Sequence, residues 1–464
     1  MNRKTIFTTT LLLVTLYAPL SLFGQDFEMD GTVLVRYRGS ETNVTIPEGV
    51  TAIGNGAFSH ADMLYTNNNV IPRSVFLTSI TIPSSVTSIG EETFFDCYSL
   101  ASITVDNQNS WYSSVDGVLF NKNRTVLIKY PARKREEKYT IPSGVTAIKD
   151  RAFYMCLYLI DVTIPEGVTS IGKEAFNSSS YLASITIPSS VTSIGDYAFY
   201  RCYRLASITV ATQNSAYASV DGVLFNKNRT VLIKYPEGRQ ERNYTIPSGV
   251  TSIGEVAFAL CYRLASLTIP SSVTSIGDYA FNACRSLASI AIPEGVTSIG
   301  DYAFNACSSL ASITVDIQNR AYSSADGILY NKNKTVLVRY PEGKQEENYT
   351  IPAGVTAIGF AAFYSCKGFT NVTIPAGVTA IGAEAFIHCT NLTSISIPSG
   401  VTAIGGGAFL GCFGLTSVTI PNSVTAIENQ AFLGCDDNIL VVVSRRARIG
   451  TNAFPRKAQI TYSE

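Results

Sequence analysis

The residues with the greatest capacity for chemistry are ten cysteines, and all of them recur at one position of a repeating pattern. Stacked repeats would place these thiols about 4.8 Å apart, whereas the Cβ atoms of a disulfide lie about 3.8 Å apart with converging bonds. No two cysteines stand two to four residues apart, as zinc ligands do. The pattern therefore predicts a column of buried free thiols that act as small hydrophobic side chains, with no metal and no cofactor. The cysteines are Cys97, Cys156, Cys202, Cys261, Cys284, Cys307, Cys366, Cys389, Cys412 and Cys435.

Acid–base catalysis has little support in this sequence. The two histidines, His60 and His388, stand far apart in the chain and in different repeats. Carboxylates occur singly at recurring positions, as at Asp278 and Asp301, where the capping of a short helical turn explains them. No glycine-rich phosphate loop and no nucleophile elbow occurs. The sequence thus predicts a protein without enzymatic activity.

Composition and charge exclude further classes of protein. The 464 residues carry 35 Lys and Arg against 35 Asp and Glu, so no net charge attracts nucleic acid or an anionic membrane. Apolar residues make up 46% of the chain and charged residues 15%. This balance excludes a disordered chain and indicates a large core.

The N-terminal segment has the layout of a secretory signal peptide. Arg3 and Lys4 precede an apolar stretch that ends near residue 23, and a cut is expected near Gly24 and Gln25. A membrane anchor is the alternative, although the apolar stretch is short for a spanning helix. No later stretch is apolar for long enough to cross a bilayer. We therefore predict a signal peptide at 1–24 and a mature chain that is secreted or held at the cell surface.

The rest of the chain consists of one sequence pattern that is repeated many times. The proline of the tripeptide Thr-Ile-Pro, or of a near variant, recurs at intervals of 23, 36 or 59 residues. The intervals of 59 resolve into 23 and 36 when Asp106, Ala211 and Asp316 take the place of the proline. This gives about sixteen turns, most of 23 residues and four of 36. Such a period is typical of a solenoid, in which each turn buries its apolar face only against its neighbours.

One unit shows the expected local structure. Leu267 and Ile269 alternate with hydroxyl residues, which is the period of a half-buried strand. Pro270 ends that strand because it has no N–H to donate. A second extended piece ends near Ile276, and the segment from Asp278 reads as one helical or 3-10 turn. The unit predicts parallel short strands stacked into one elongated solenoid.

The unit resembles the BspA-type (Treponema pallidum-type) leucine-rich repeat. The shared pattern is Cys-x-x-Leu-x-x-Ile-x-Ile-Pro-x-x-Val-x-x-Ile-Gly-x-x-Ala-Phe. It stands here at Cys261–Phe281, Cys284–Phe304, Cys366–Phe386, Cys389–Phe409 and Cys412–Phe432, and in interrupted form at Cys202–Phe258. The resemblance implies a leucine-rich-repeat solenoid, mostly β with short helical turns. It also implies a bacterial surface or secreted protein that adheres to host matrix proteins or to other cells.

Domain boundaries follow from the repeat. We predict an N-terminal cap at 25–46, the solenoid at 47–443 and a C-terminal cap at 444–464. The turns of 36 residues depart from the family pattern. Three of these turns, at intervals of 105 residues, are predicted to carry an extra hairpin, and these insertions lie near 106–141, 211–246 and 316–351.

The hairpin insertions supply the candidate binding residues. Each carries two basic residues at a predicted turn, and aromatic residues precede it; together these are typical of a binding patch. A hairpin that only covers a sheet edge is the alternative reading. Two other surfaces remain open: a face of Ser and Thr hydroxyls, as at Ser266 and Thr268, and a ridge of tyrosines that includes Tyr197. The candidates are Lys122, Arg124, Lys227, Arg229, Lys332, Lys334, Trp111, Tyr112, Tyr217 and Tyr322.

These observations favour a binding protein with a repeated surface. The first expectation is an adhesin for a host extracellular-matrix protein or a neighbouring cell. A carbohydrate-binding surface protein is one alternative, and a structural surface-layer component that self-associates is the other.

Overall fold

The computed structural model describes residues 26–59, 63–66, 69–72 and 76–463. The predicted signal peptide at 1–24 and His60 lie outside the described residues. The chain divides into two compact units, residues 1–122 and 123–464, which we call the N-terminal and C-terminal units. A search of the described residues for a helix long and apolar enough to span a bilayer finds none.

The N-terminal unit opens with an antiparallel hairpin inside the predicted cap. Two parallel ladders follow it, one through β2, β4 and β8 and the other through β3, β7 and β9. Its strands are β1 (Phe27–Asp30), β2 (Val33–Tyr37), β3 (Asn43–Thr45), β4 (Ala52–Ile53), β5 (Met63–Thr66), β6 (Asn69–Pro72), β7 (Ser79–Ile82), β8 (Ser88–Ile89), β9 (Ser102–Val105), β10 (Tyr112–Val115) and β11 (Val118–Asn121).

The C-terminal unit repeats the same two kinds of ladder. Across its described residues, the longer strands form five separate parallel ladders, which hold in turn β13 (Lys138–Thr140), β15 (Asp161–Thr163), β17 (Ser184–Ile187) and β19 (Ser207–Val210); β23 (Asn243–Thr245) and β25 (Ser266–Thr268); β27 (Ser289–Ile292) and β29 (Ser312–Val315); β33 (Asn348–Thr350), β35 (Asn371–Thr373) and β37 (Ser394–Ser396); and β39 (Ser417–Thr419), β41 (Leu440–Ser444) and β43 (Gln459–Ser463).

The second kind of ladder is built from shorter strands, most of two residues, and there are three of these ladders in the described part of this unit. They hold in turn β12 (Val126–Lys129), β14 (Ala147–Ile148), β16 (Ser170–Ile171) and β18 (Ser193–Ile194); β22 (Val231–Lys234), β24 (Ser252–Ile253), β26 (Ser275–Ile276) and β28 (Ser298–Ile299); and β32 (Val336–Arg339), β34 (Ala357–Ile358), β36 (Ala380–Ile381), β38 (Ala403–Ile404), β40 (Ala426–Ile427) and β42 (Arg448–Ile449). The insertions add β20 (Tyr217–Val220), β21 (Val223–Asn226), β30 (Tyr322–Ala325) and β31 (Ile328–Asn331).

In both kinds of ladder, most paired residues are separated by one sequence repeat. Ser275 pairs with Ser298 and Ile276 with Ile299, each 23 residues on, and the pairing is parallel. Along β25 the burial alternates, with Leu267 buried between two exposed hydroxyl residues. This confirms the predicted strand, the second extended piece and the solenoid of stacked parallel strands.

The corner that follows each short strand differs from the predicted helical turn. In the corner at 277–284, Ala280 N–H donates to Gly277 O (3.3 Å), and Asn282 N–H donates to Tyr279 O (3.0 Å). Tyr279 and Ala283 have φ of 52° and 58°, in the left-handed region. A residue in that region cannot continue a right-handed helix. The corner is therefore a series of tight turns, and the described residues contain no α-helix.

Successive corners are joined by backbone hydrogen bonds, which we call the corner ladder. The N–H groups of Tyr279, Phe281 and Ala283 donate to the carbonyl oxygens of residues 301, 303 and 305 at 2.8–2.9 Å. Asp278 adds a side-chain bond, because its Oδ1 accepts from Asp301 N–H at 2.9 Å. The carboxylate predicted to cap a helix thus bridges two turns instead.

The core is a stack of identical side chains. Phe281 is fully buried, and its ring lies 5.4 Å from that of Phe258 and 5.6 Å from that of Phe304. In the insertions a tyrosine takes this place, and Tyr235 lies 5.1 Å from Phe258. Isoleucine, valine and leucine columns fill the rest of the interior. Each turn is therefore buried by its two neighbours.

We expect Phe281→Ala to lower the free energy of unfolding by about 3–5 kcal/mol, because it leaves a cavity between two stacked rings. Urea unfolding followed by circular dichroism measures this change. The control is Ser266→Ala on the exposed face, which should stay within about 0.5 kcal/mol of the parent. Equal stabilities for the two variants would contradict the stack as the main source of burial.

Candidate binding surface

Each insertion in the C-terminal unit is a three-stranded meander. In the first of them β20 pairs antiparallel with β21, and β21 with β22. Asp221 and Gly222 join β20 to β21 with φ of 48° and 77°, as a tight hairpin turn of two residues requires. The hairpin predicted from the sequence corresponds to β21 and β22, and β20 was not predicted. The Asp-Gly pair was the signal that would have located it.

The same construction recurs 105 residues on and in the N-terminal unit. There β30 pairs with β31 and β31 with β32, and in the N-terminal unit β10 pairs with β11. The Asp-Gly turns are Asp116-Gly117 and Asp326-Gly327.

A fully buried asparagine fixes each insertion to the preceding turn, and the sequence analysis missed it. Asn214 Nδ2 donates to the carbonyl oxygens of Pro188 (2.7 Å) and Val191 (2.9 Å). Its Oδ1 accepts from Ala216 N–H (2.9 Å) and Tyr217 N–H (2.7 Å). All four bonds end on backbone groups, so the side chain replaces a missing strand contact. Its counterparts are Asn109 and Asn319. Recurrence of Asn at intervals of 105 residues was the available signal.

The predicted lysines are tied to the same loop. Lys227 Nζ donates to Thr212 O at 3.5 Å and to Asn214 O. Although the side chain is exposed, its ammonium group is held against backbone carbonyls. Lys227 therefore holds the loop at residues 212–214 against the hairpin, in addition to carrying a positive charge. The matching bonds are made by Lys122 and Lys332.

The predicted tyrosines are half-buried and cover a strand edge. Tyr217 Oη accepts a hydrogen bond from Ile194 N–H at 2.9 Å, at β18, the last strand of its ladder. Burial raises the pKa of Tyr217, so the hydroxyl stays protonated. Tyr112 and Tyr322 accept in the same way from the N–H groups of Ile89 and Ile299. The alternative reading, that the insertion covers a sheet edge, holds for these residues.

The remaining candidates stand at the exposed tips. Arg229 has φ of 59°, and its N–H donates to Asn226 O at 2.9 Å, which holds the tip in one conformation. Arg124 and Lys334 adopt the same left-handed conformation, with φ of 56° and 57°. We call Arg124, Arg229 and Lys334 the tip residues; all three are exposed. Trp111 is 58% exposed at the base of the hairpin in the N-terminal unit.

The tyrosine ridge is largely packed against itself. The rings of Tyr279 and Tyr302 stack at 4.8 Å. Tyr302 Oη donates to Glu384 Oε2 at 2.6 Å, and Tyr197 Oη donates to Glu255. The ring contact joins neighbouring turns, and the two hydrogen bonds, over 58 and 82 residues, join corners on opposite sides of an insertion. By contrast, Ser266 and Thr268 on β25 remain exposed, as the hydroxyl face requires.

All ten cysteines are buried and free, as predicted. Each thiol also donates a hydrogen bond to the carbonyl of an aromatic residue one turn back; Cys284 Sγ lies 3.1 Å from Phe258 O. Ser179 replaces cysteine in one turn and makes the same bond to Phe153 O at 2.6 Å. Burial raises the pKa of Cys156 to about 12, so the nucleophilic thiolate does not form at neutral pH. Among the described residues, no group of three or more His, Cys, Asp or Glu is placed to hold a metal ion.

Comparison with known protein families shows the family to which this chain belongs. The profile described as "BspA type Leucine rich repeat region" matches in six copies, over residues 65–136, 129–238, 237–335 and 340–461. The chain belongs to the BspA-type leucine-rich-repeat family.

Three solved structures are similar to this BspA-type protein. A leucine rich cell surface protein from Faecalibacterium prausnitzii is 26% identical with a TM-score of 0.43, over 94% of this chain and 95% of that chain. A leucine-rich repeat protein from Eubacterium ventriosum is 26% identical with a TM-score of 0.43, over 87% and 88%. The pneumococcal vaccine antigen PcpA is 17% identical with a TM-score of 0.38, over 95% and 87%. No curated protein matches the chain.

Replacing the buried asparagine should loosen an insertion of this leucine-rich-repeat protein. We expect Asn214→Ala to lower the free energy of unfolding by about 3 kcal/mol, because it leaves several buried backbone groups without partners. Urea unfolding measures the change. The exposed neighbour Gln213→Ala is the matched control and should change stability by less than about 0.5 kcal/mol. A neutral Asn214→Ala would show that water replaces the four bonds.

The thiol column should be unreactive in the folded protein. At pH 8, we expect Ellman's reagent to modify less than one thiol per chain, and all ten in denaturant, because burial keeps the thiols out of reach of the reagent. Rapid modification of several thiols in the native state would contradict the buried column.

Proposed function

We propose that this BspA-type protein is a secreted or cell-surface binding protein without catalytic activity, and that its ligand is a protein on a host matrix or a neighbouring cell. The observation that carries the proposal is the set of three exposed basic tips, each held by the same left-handed turn on an anchored insertion. Export through the segment at 1–24 belongs to the proposal.

The insertions are suited to binding because they are already ordered. Asn214 and Lys227 together fix the loop through hydrogen bonds to backbone groups. A loop that is fixed before it binds loses little conformational entropy on binding. The tip guanidinium or ammonium group is then presented to the ligand from a rigid support.

Repetition adds to this effect. The tip residues recur at intervals of 105 residues on insertions of the same construction. Several equal contacts to a ligand with repeated acidic sites raise the overall affinity without any new chemistry. Lys122, Lys227 and Lys332 support the tips in this proposal, and Trp111 and the three tyrosines complete the candidate surface.

A second candidate function is glycan binding on the hydroxyl face. The observation that favours it is that pairs of hydroxyl side chains are exposed at the same two positions of several strands, namely Ser266 and Thr268 on β25, Ser394 and Ser396 on β37, and Ser417 and Thr419 on β39. An array of hydroxyl groups at a regular spacing can donate to and accept from sugar hydroxyls.

The test is binding of the chain from residue 25 to residue 464 to immobilised matrix proteins and glycans, measured by surface plasmon resonance. We expect saturable binding to a matrix protein, weakened at least tenfold by the triple change Arg124→Ser, Arg229→Ser and Lys334→Ser. The tips are exposed, so the variant should retain the parent's circular dichroism spectrum and melting temperature.

A second triple variant with the same change in charge shows whether binding depends on the tip residues or only on the net charge. The triple change Arg445→Ser, Arg446→Ser and Arg448→Ser removes the same charge near the C-terminus of the chain and should leave binding unchanged. Equal weakening by both triple variants would reduce the proposal to a nonspecific charge effect. Binding to a glycan that the tip variant retains would favour the hydroxyl face, and concentration-dependent assembly without ligand binding would favour a structural role.

A further inference from the structure

A cleft lies beside the last insertion of the C-terminal unit, where the corner ladder is interrupted. The insertion passes from β32 to Tyr340 without forming a corner. The preceding corner, at 300–307, therefore has no corner to pair with on that side. The resulting cleft has a volume of about 220 Å³, and its walls come from the corners at 299–305 and 359–361.

The interruption leaves backbone donors without acceptors. One turn earlier, Tyr279, Phe281 and Ala283 donate their N–H groups to the next corner. The equivalent N–H groups of Tyr302 and Phe304 have no acceptor among the described residues. Both residues line the cleft. Two aligned N–H groups of this kind form a site for an anion.

A buried cation stands in the same cleft. Arg339 is 4% exposed. Its Nη1 donates to Asn305 Oδ1 (2.7 Å) and to Ala361 O (2.8 Å), and its Nη2 donates to Phe304 O (3.2 Å). Every one of these acceptors is uncharged. Two buried donors, Arg339 Nε and Asn305 Nδ2, have no partner within the described part of the chain.

The nearby acid, Glu342, does not contact this arginine directly. Glu342 makes no ion pair with Arg339 among the described residues, and its Oε2 is itself buried without a partner. Burial raises the pKa of Glu342 and the positive charge of Arg339 opposes that rise, so the two groups interact through space only. The cleft therefore combines a buried positive charge, whose direct partners are all uncharged, with an excess of hydrogen-bond donors.

The equivalent cleft at the previous insertion shows the compensated arrangement. There Lys234 takes the place of Arg339, and its Nζ lies 3.0 Å from Glu237 Oε1. The same carboxylate oxygen accepts from Arg201 N–H at 2.9 Å, in place of a corner carbonyl. Arg201 corresponds to Ala306, and the N–H groups of Tyr197 and Phe199, the counterparts of Tyr302 and Phe304, likewise have no acceptor among the described residues. In that cleft a carboxylate is thus the partner of the buried cation and of one corner N–H.

We propose that the cleft at Arg339 binds the carboxylate of a small ligand. The carboxylate accepts from Tyr302 N–H and Phe304 N–H and lies against the guanidinium, which recognises planar carboxylates. The rings of Tyr302 and Phe360, whose centroids lie 4.9 Å apart, offer an apolar wall for the body of the ligand. A volume of about 220 Å³ restricts that body to the size of one small ring.

The test uses benzoate as the probe and its neutral isostere benzamide as the comparison, with the full mature chain and isothermal titration calorimetry at pH 7. We expect benzoate to bind in a saturable manner with one site per chain, and benzamide to bind at least tenfold more weakly. Inorganic phosphate is titrated in parallel. Tighter binding of phosphate than of benzoate would overturn the assignment of a carboxylate ligand.

Two variants address the site without removing its packing. Asn305→Asp is isosteric and places a carboxylate oxygen against Arg339, so we expect benzoate affinity to fall at least tenfold. Arg339→Lys reproduces the sequence of the compensated cleft, and we expect the same loss. Asn282→Asp, one turn earlier, is the matched control and should leave benzoate affinity unchanged.

Melting temperatures measured beside the titrations show whether each variant folds. Benzoate binding that survives both Asn305→Asp and Arg339→Lys in folded protein would overturn the proposal. Failure of the parent chain to bind benzoate at millimolar concentration would overturn it as well.

Discussion

In-register contact between identical side chains is the interaction on which each unit depends. Phe363, Phe386 and Phe409 stack at 4.6 and 5.1 Å with nearly parallel rings, and the short strands pair at the same offset of 23 residues. No turn carries enough apolar surface to fold by itself, because its neighbours provide the other half of every contact. A side chain that fits against its own copy is therefore favoured at every level of the stack.

The insertions show what this constraint demands when a turn is changed. Removing a corner exposes backbone groups on both sides, and each must find another partner. Asn214 and Tyr217 supply side-chain groups for strand edges, while Glu237 replaces a corner carbonyl. At the last insertion Glu342 stands at the position of Glu237 and makes no such bond, and Arg339 Nε has no partner among the described residues. We place the proposed ligand at this position because the repeat does not satisfy its own polar groups there.

The sequence predicts the periodic features well and the irregular ones poorly. Alternation at Leu267 and Ile269 located the strand, and recurrence located the thiol column, because both follow from the period. The corner at Asp278 was predicted as helical since its local residues favour a helical turn; bonds to the next turn override that preference. Likewise, the sequence shows the charge of Lys227. Its hydrogen bonds to the carbonyl groups of residues 212 and 214 depend on how the folded loop brings them together.

The thiol column sets a condition on how the chain reaches its folded state. In an oxidising compartment, ten thiols on an unfolded chain can join in many wrong pairs, and each pair would trap a misaligned stack. Once folded, every Sγ–H is bonded to a carbonyl and enclosed, so oxidants no longer reach it. Each added turn must close a loop of about one repeat before its parallel strands pair, and such pairing is slow. The timing of collapse relative to oxidation therefore decides whether such a chain matures or is lost.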